Sequence, residues 1–495
     1  MVQGTASSVG KSTLVAGLCR WLAQRGLRVA PFKAQNMSNN AAVCADGGEI
    51  GRAQFAQAVA AGIEPTVDMN PILLKPQGRT SQVIVRGRAQ GAQTAAEYFG
   101  PSGLRGDLWP TVAEALDRLR STYDLVIAEG AGSPAEINLR DRDLVNMRVA
   151  LHAAADVFIV SDIDRGGAFA ALLGTWEWLA PDERALVRGF ILNKFRGDPT
   201  LLAPAPAVLE QRTGVPVIGV VPYLDNLVLP EEDAASLTQR SVPDARVEIA
   251  VVRLPHLANF DEFGLLAAEP GVSIRYVSAP EALRAPDLVI VPGTKATIPD
   301  LLWLHDRGLT GRLRWLVTHG TPVLGICGGY QMLGQVVRDP RHVESEHASA
   351  VGLGLLSIET ELAGADSKRL ARTRGVVRPN AAGIWAGLSG VEVEGYEIHV
   401  GRTWGQMPDA LLDLPTGPDG SVTPDGLVAG TYLHGIFEHA AARHALLRSL
   451  ASRRGLCLGP VLPAQLDPYA DLARVLADTV RLDTTRVPAL LKTLA

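Results

Sequence analysis

The sequence predicts two α/β domains in series, each built on a mainly parallel sheet. Three observations predict it. Short apolar runs alternate with longer stretches of helical spacing along most of the chain. A glycine-rich loop at residues 4–12 leads straight into one of those helical stretches. A later apolar run, Leu324–Ile326, ends in Cys327-Gly328-Gly329 and a helix start. At 495 residues the chain exceeds one ordinary core.

In the first domain, residues 1–230, strands are expected at Arg28–Phe32, Leu125–Ala128, Val157–Val160, Gly189–Leu192 and Val217–Val221. Helical spacing over Ser12–Arg25 and Thr111–Leu119 supplies crossovers of the kind that parallel strands need. Residues 231–246 are polar and contain proline, and read as a linker. The second domain, residues 247–440, continues with strands at Val247–Arg253, Ile274–Val277, Leu288–Val291, Pro322–Ile326 and Leu427–Tyr432. Residues 441–495 are expected to form a C-terminal helical extension.

Hydrophobic residues make up 47% and charged residues 20%, the balance of a soluble globular enzyme. A net charge of -5 and a pI near 6.1 give no footprint for nucleic acid or a membrane surface, so neither partner is expected. The four cysteines are far apart and lack metal-type spacing, which points to a reducing compartment, the cytoplasm. No apolar run reaches 18 residues, and the first residues lack the pattern of a secretory signal. Nothing in the sequence speaks to oligomeric state. Lysine is rare, at positions 11, 33, 75, 194, 295, 368 and 492, and arginine far outnumbers it.

The first site is predicted around Gly4-Thr5-Ala6-Ser7-Ser8-Val9-Gly10-Lys11-Ser12. Glycines let backbone N–H groups turn toward a phosphate, and the following helix N-terminus adds partial positive charge. Lys11 suits the terminal phosphates and Ser12 suits Mg²⁺. The loop is one residue longer than the usual P-loop. Lys33 follows the second strand, Glu129 the third, and Asn193 another, so all three fall at strand C-termini, where open parallel sheets bind ligands. Glu129 is an expected metal ligand. Asn193 is an expected reader of the base edge, with a turn-forming role as the alternative. Arg165, in Asp162-Ile163-Asp164-Arg165-Gly166-Gly167, suits a substrate carboxylate, with an internal ion pair as the alternative.

The second site is predicted around Cys327. A sharp elbow at a helix N-terminus exposes sulfur and favours thiolate. His434 follows a later strand and suits the base-then-acid role. Pro292-Gly293-Thr294 also ends a strand, so Gly293 and Gly328 are the expected oxyanion donors. Losing one such donor costs about 3–4 kcal/mol.

These motifs carry a resemblance. The Gly4–Ser12 loop, Lys33 and Glu129-Gly130-Ala131-Gly132 resemble dethiobiotin synthetase and its relatives. The runs Phe32-Lys33-Ala34-Gln35-Asn36-Met37-Ser38-Asn39-Asn40, Asp46-Gly47-Gly48-Glu49-Ile50-Gly51 and Met69-Asn70-Pro71-Ile72-Leu73-Leu74-Lys75-Pro76, with the Asp162–Gly167 run, resemble the cobyric acid synthase family. Cys327-Gly328-Gly329-Tyr330-Gln331-Met332-Leu333 with His434 resembles the triad-type, class I glutamine amidotransferases, with their flavodoxin-like fold.

The resemblance implies ATP, Mg²⁺, L-glutamine and a corrinoid substrate. It also implies Gln331 as a glutamine-binding residue and Asp46 as a third metal ligand. The implied reaction amidates the b, d, e and g carboxylates of adenosylcobyrinic acid a,c-diamide in cobalamin biosynthesis. Ammonia must cross between the sites unprotonated, so an enclosed path between domains is expected. The run ending at Asn40 argues against the sister enzyme that makes the a,c-diamide. The Cys327/His434 pair argues against a partitioning-type switch ATPase with a degenerate amidotransferase domain. Triad members commonly carry Glu two residues after the histidine. Here that position is Ile436, and Glu438 lies four residues on, so the orienter of His434 stays open. His399, in a run seen in the same branch, is expected to be structural or to contact glutamine.

Overall fold

The computed structural model describes the chain except residues 101–103, 105–107, 225–244, 365–367, 380, 406–408, 459–466 and 493–495. The linker expected at 231–246 lies outside the described residues apart from Ala245 and Arg246.

The first sheet contains β1 (Val2–Gly4), β2 (Val29–Phe32), β3 (Leu125–Ala128), β4 (Val157–Asp162), β5 (Val187–Phe195) and β6 (Val217–Pro222). Strands β1, β4, β5 and β6 pair in parallel in that order. Strand β2 pairs in parallel with β3. A bridge between Val2 and Glu129 joins β3 to β1. The sheet is buried on both faces, as parallel sheets are. Along β4, Val157 and Ile159 enter one core, and Phe158 and Val160 enter the other, beside helix α1 (Lys11–Gln24). Strands β4 and β5 run beyond the expected ends, to Asp162 and Phe195. Ladder pairing, which apolar content does not report, carries the polar residues at these ends.

Between β2 and β3 the chain makes structure that alternation did not predict. Gln35–Met37 pairs in parallel with Ile72–Gln77, which continues into an antiparallel meander. The hairpin Ala41–Val43 with Glu49–Gly51 leads into helix α2 (Arg52–Ala61).

The second sheet contains β7 (Val247–Val252), β8 (Val272–Val277), β9 (Leu288–Val291), β10 (Val323–Ile326) and β11 (Val428–Thr431). The order is β8-β7-β9-β10-β11, all parallel, with Ser421–Val422 added antiparallel at the edge. Helix α3 (Gly328–Leu333) follows β10. Residues 336–419 contribute two further mainly antiparallel sheets.

The C-terminal residues divide between the two domains. Helix α4 (Ala440–Arg453) packs Leu446, Leu447 and Leu450 into the second core. Helix α5 (Pro468–Thr479) returns to the first domain, where Leu472 and Leu476 pack with Leu14 and Leu18 of α1.

The domains are joined by an apolar cluster. Ala41, Val43, Leu73 and Ile84 of the first pack with Tyr396 and Ile398 of the second. Beside it, Glu49 accepts from Lys75 at 2.8 Å and also from Lys368, which reaches across from the second domain. The two ammonium groups hold the Glu49 carboxylate well down, at about 2, against the upward pull of burial.

Candidate active sites

At the first site the C-terminal edges of β1, β2 and β3 converge. Lys11 is buried, and its Nζ donates to Ala6 O at 2.9 Å and to Gly132 O at 3.2 Å. The side chain is therefore folded along the loop that would hold phosphate. Glu129 sits below it with three donors. Ser12 Oγ and Lys33 Nζ each lie 2.9 Å from Oε1, and Gln57 Nε2 lies 2.7 Å from Oε2. A buried carboxylate survives only when it is charge-paired and hydrogen-bonded in this way. A hydroxyl and a carboxylate side by side are hard oxygen donors of the kind Mg²⁺ prefers.

The other expected residues fall as follows. Gly4 and Gly10 bound the loop, and Gly10 takes a φ of 96°. Asn193 packs against the loop, its Nδ2 donating to Val9 O at 2.8 Å. In this arrangement its Nδ2 braces the loop. Lys194, beside it, donates to Ser8 O at 2.8 Å and pairs with Asp162 at 3.0 Å. Arg165 is mostly exposed, with Nε 3.6 Å from Asp162 Oδ2. Asp46 stands apart from the cluster. It lies on the exposed turn before Glu49 and accepts from Gly48 N at 3.0 Å, and no described contact joins it to Ser12 or Glu129. A short carboxylate after a strand is equally suited to closing its own turn, as this hydrogen bond does.

At the second site four strand ends of the second sheet meet. Cys327 takes φ 52° and ψ −109°, a strained elbow that aims its side chain off the strand. Glycine at 329 is sterically required, because a Cβ there would stand 1.9 Å from Val291 O. Gly293 and Gly328 line the same cavity as Cys327 and His434. Gln331 lines it too, but it also accepts from Thr297 Oγ1 and donates to Tyr432 Oη, both at 3.2 Å. His399 stacks on Tyr432 with ring centroids 3.9 Å apart and lines the cavity wall.

The orienter of His434 is Glu262, which sequence reasoning missed. Glu262 Oε1 lies 3.1 Å from His434 Nδ1, and Oε2 accepts from Gly435 N at 3.0 Å. Both side chains are buried. Burial alone would lower the imidazole pKa. The charges of Glu262 and Cys327 reverse that and push it up to about 10. The site therefore favours the protonated imidazole at His434. Glu438 turns elsewhere, to Arg52 of the first domain. The clue to Glu262 was positional. Residues 253–263 follow β7 at the sheet edge that also carries Gly293, Cys327 and His434.

Glu262→Gln should lower glutamine turnover by roughly 10²-fold or more, with KM for glutamine nearly unchanged. Steady-state glutaminase kinetics measure this. A turnover within about threefold of the parent would remove Glu262 from the relay.

The cavity also holds an unforeseen charge set. Lys295 Nζ lies 3.6 Å from Glu344, and Lys75 and Lys368 complete the lining. Glu344 accepts from Thr297 N at 3.1 Å. Lys75 belongs to the first domain, so that domain walls part of the second domain's pocket.

A nucleotide-loop domain and a cysteine–histidine–glutamate glutaminase centre in one polypeptide define a glutamine-hydrolysing, amide-forming ligase. Residues 1–236 match the family model "CobQ/CobB/MinD/ParA nucleotide binding domain", and residues 248–442 match "CobB/CobQ-like glutamine amidotransferase domain". A cobyric acid synthase of Pelotomaculum thermopropionicum is 51% identical over 93% of this chain and 88% of its own. One from Chloroflexus aurantiacus is 51% identical over 96% and 95%, and one from Dehalococcoides mccartyi is 47% identical over 99% and 98%. The chain belongs to the cobyric acid synthase family of cobalamin biosynthesis.

Proposed function

We propose that the chain converts adenosylcobyrinic acid a,c-diamide to adenosylcobyric acid in the cytoplasm, amidating the b, d, e and g carboxylates with ATP·Mg²⁺ and glutamine. The observation that carries this reading is the pairing of two separate sites, each at the C-terminal edge of its own sheet. Near-full-length relatives called cobyric acid synthase support the substrate class. The free cysteines fit a reducing compartment.

In this reading Gly4–Ser12 cradles the ATP phosphates, and Lys11 and Lys33 offset charge on the transferring phosphoryl group. Ser12 and Glu129 would hold Mg²⁺, which supplies charge neutralisation when bound. Arg165, exposed at the same sheet edge, meets a substrate carboxylate. The activated carboxyl is an acyl phosphate, formed as ADP leaves the transferred phosphoryl group; ammonia then attacks its carbonyl carbon, expelling inorganic phosphate and leaving the amide. At the other site Cys327 attacks the glutamine side-chain amide, and His434 protonates the departing ammonia. Gly293 and Gly328 N–H groups stabilise the oxyanion. Water, activated by His434, then releases glutamate. Glu344 meets the α-ammonium of glutamine, and Lys295 with Lys368 meets its α-carboxylate, opposite charges for a zwitterion.

Ammonia then passes enclosed between the domains. The strand bearing Lys75 supports that route. Its neighbour in the ladder, Gln35–Met37, begins two residues after Lys33, so the glutamine pocket and the nucleotide site share one strand pair.

The test supplies adenosylated a,c-diamide, the unamidated corrin and simple carboxylates, each with ATP and amide-¹⁵N glutamine. Mass spectrometry should find four labelled nitrogens in the a,c-diamide product. Label entering only the a and c positions of the unamidated corrin would assign the chain to the sister reaction.

A further inference from the structure

The loop that carries Glu262 is held from both domains: within its own, Ala258 N donates to Gly293 O at 3.0 Å and Phe260 packs into the core, while the first domain grips the residues next to Glu262. Asn259 takes a left-handed φ of 53°, and its Oδ1 accepts from Ala41 N at 3.0 Å. Phe260 N donates to Asn40 Oδ1 at 3.1 Å. Asp261, directly before the orienter, lies against Arg52 at the start of α2, with Oδ2 2.6 Å from Nε. That contact is a charge pair outside hydrogen-bonding alignment, since Arg52 Nε has no aligned acceptor. Arg52 also bonds Glu438, four residues after His434. Its guanidinium lies 5.9 Å from the Tyr396 ring centroid, and that ring stacks on His434 at 5.4 Å. One buried cation of the first domain thus touches the segments on both sides of the His434–Glu262 pair.

We propose that Arg52 and Asn40 are positioning residues for glutamine hydrolysis, supplied by the nucleotide domain. They clamp residues 259–262 so that the Glu262 carboxylate meets His434 Nδ1. Neither residue lines the Cys327 cavity. A carboxylate hydrogen-bonded to an imidazole must be placed within a few tenths of an ångström to fix tautomer and charge. In its own domain the loop after β7 is bridged at Leu257 to Thr294 and then turns at Phe260–Phe263, and the contacts of Asn259 and Asp261 to the first domain fix the residues between that bridge and Glu262. Asn40 closes the Phe32–Asn40 run, so the clamp gives that run a role apart from nucleotide binding. Helix α2 also carries Gln57, which donates to Glu129, so a single helix touches both centres.

The experiment uses the full chain with Arg52→Met, Arg52→Lys and Asn40→Ala, each alone and combined with Glu262→Gln. Arg52→Met should lower glutaminase kcat about tenfold or more, with KM for glutamine and ammonia-driven synthesis both within about twofold of the parent. Arg52→Lys keeps the charge but cannot span Asp261 and Glu438 together, so its loss should be intermediate. Asn40→Ala should cost about threefold or more in kcat. In the Glu262→Gln background neither change should add a further loss beyond about twofold, because residues that act through one group are non-additive. Losses that multiply in the double variant would overturn the proposal, as would an unchanged kcat or an equal fall in ammonia-driven synthesis. Should Arg52→Met fail to fold, the Asn40→Ala cycle decides the same question.

Discussion

Replacing Cys327 with serine is expected to abolish glutamine-driven synthesis and to leave ammonia-driven synthesis intact. The sulfur is needed as the nucleophile, and it shares its cavity with His434. His434 is held protonated by Glu262 and by the Cys327 charge itself, with its pKa near 10. A serine hydroxyl ionises too weakly to pair with that imidazolium. Without the thiolate, His434 loses one of the two charges that keep its proton. Loss of a nucleophile in such a unit costs on the order of 10⁴-fold or more in turnover. The nucleotide site is untouched, because Cys327 follows β10 of the other sheet and lines the cavity with His434. Free ammonia at high pH and concentration should therefore still be captured. The measurement is synthesis rate against ammonia concentration for the parent and the variant. If the variant loses ammonia-driven turnover as well, nitrogen release and nitrogen capture are not separate.

Much of this division was legible in the sequence, because residues tied to the backbone by glycine turns announce themselves locally. Cys327, Gly293 and the Gly4–Ser12 loop each sit at a strand-to-helix or strand-to-loop change that the chain cannot disguise. His434 was found from its strand. Glu262 was not, since no local pattern marks a carboxylate whose partner is 172 residues away. Asp46 is ambiguous for the opposite reason. An acidic residue followed by two glycines fits a metal loop and a hairpin turn equally, and only tertiary contacts separate them. The few lysines mark both sites. Lys11, Lys33 and Lys194 gather at the nucleotide loop, and Lys75, Lys295 and Lys368 line the glutamine pocket. Each is confined where a compact ammonium fits and a planar guanidinium is bulkier.

Replacing Lys11 with alanine should stop synthesis with either nitrogen source while glutamine hydrolysis persists. The reason is the order of events. A carboxylate must be activated before any nitrogen attacks it, so a phosphoryl-transfer defect lies upstream of both routes. Lys11 is buried, and two backbone carbonyls hold its ammonium against the loop. Phosphate arriving there would compete for that ammonium at close range, where its charge is poorly screened. Removing such a group from a phosphoryl-transfer site costs on the order of 10³-fold. Lys11→Arg should restore little, because the fork is larger than the buried space and cannot repeat the contacts to Ala6 and Gly132. Glutaminase activity should stay within a few fold of the parent, since the nearest link, through Gln57 and α2 to Arg52, does not include Lys11. Unchanged ammonia-driven turnover in Lys11→Ala would place the transferring phosphoryl group elsewhere. Loss of the glutaminase as well would mean that occupancy of the loop, and not only docking of the domain, sets the geometry at His434.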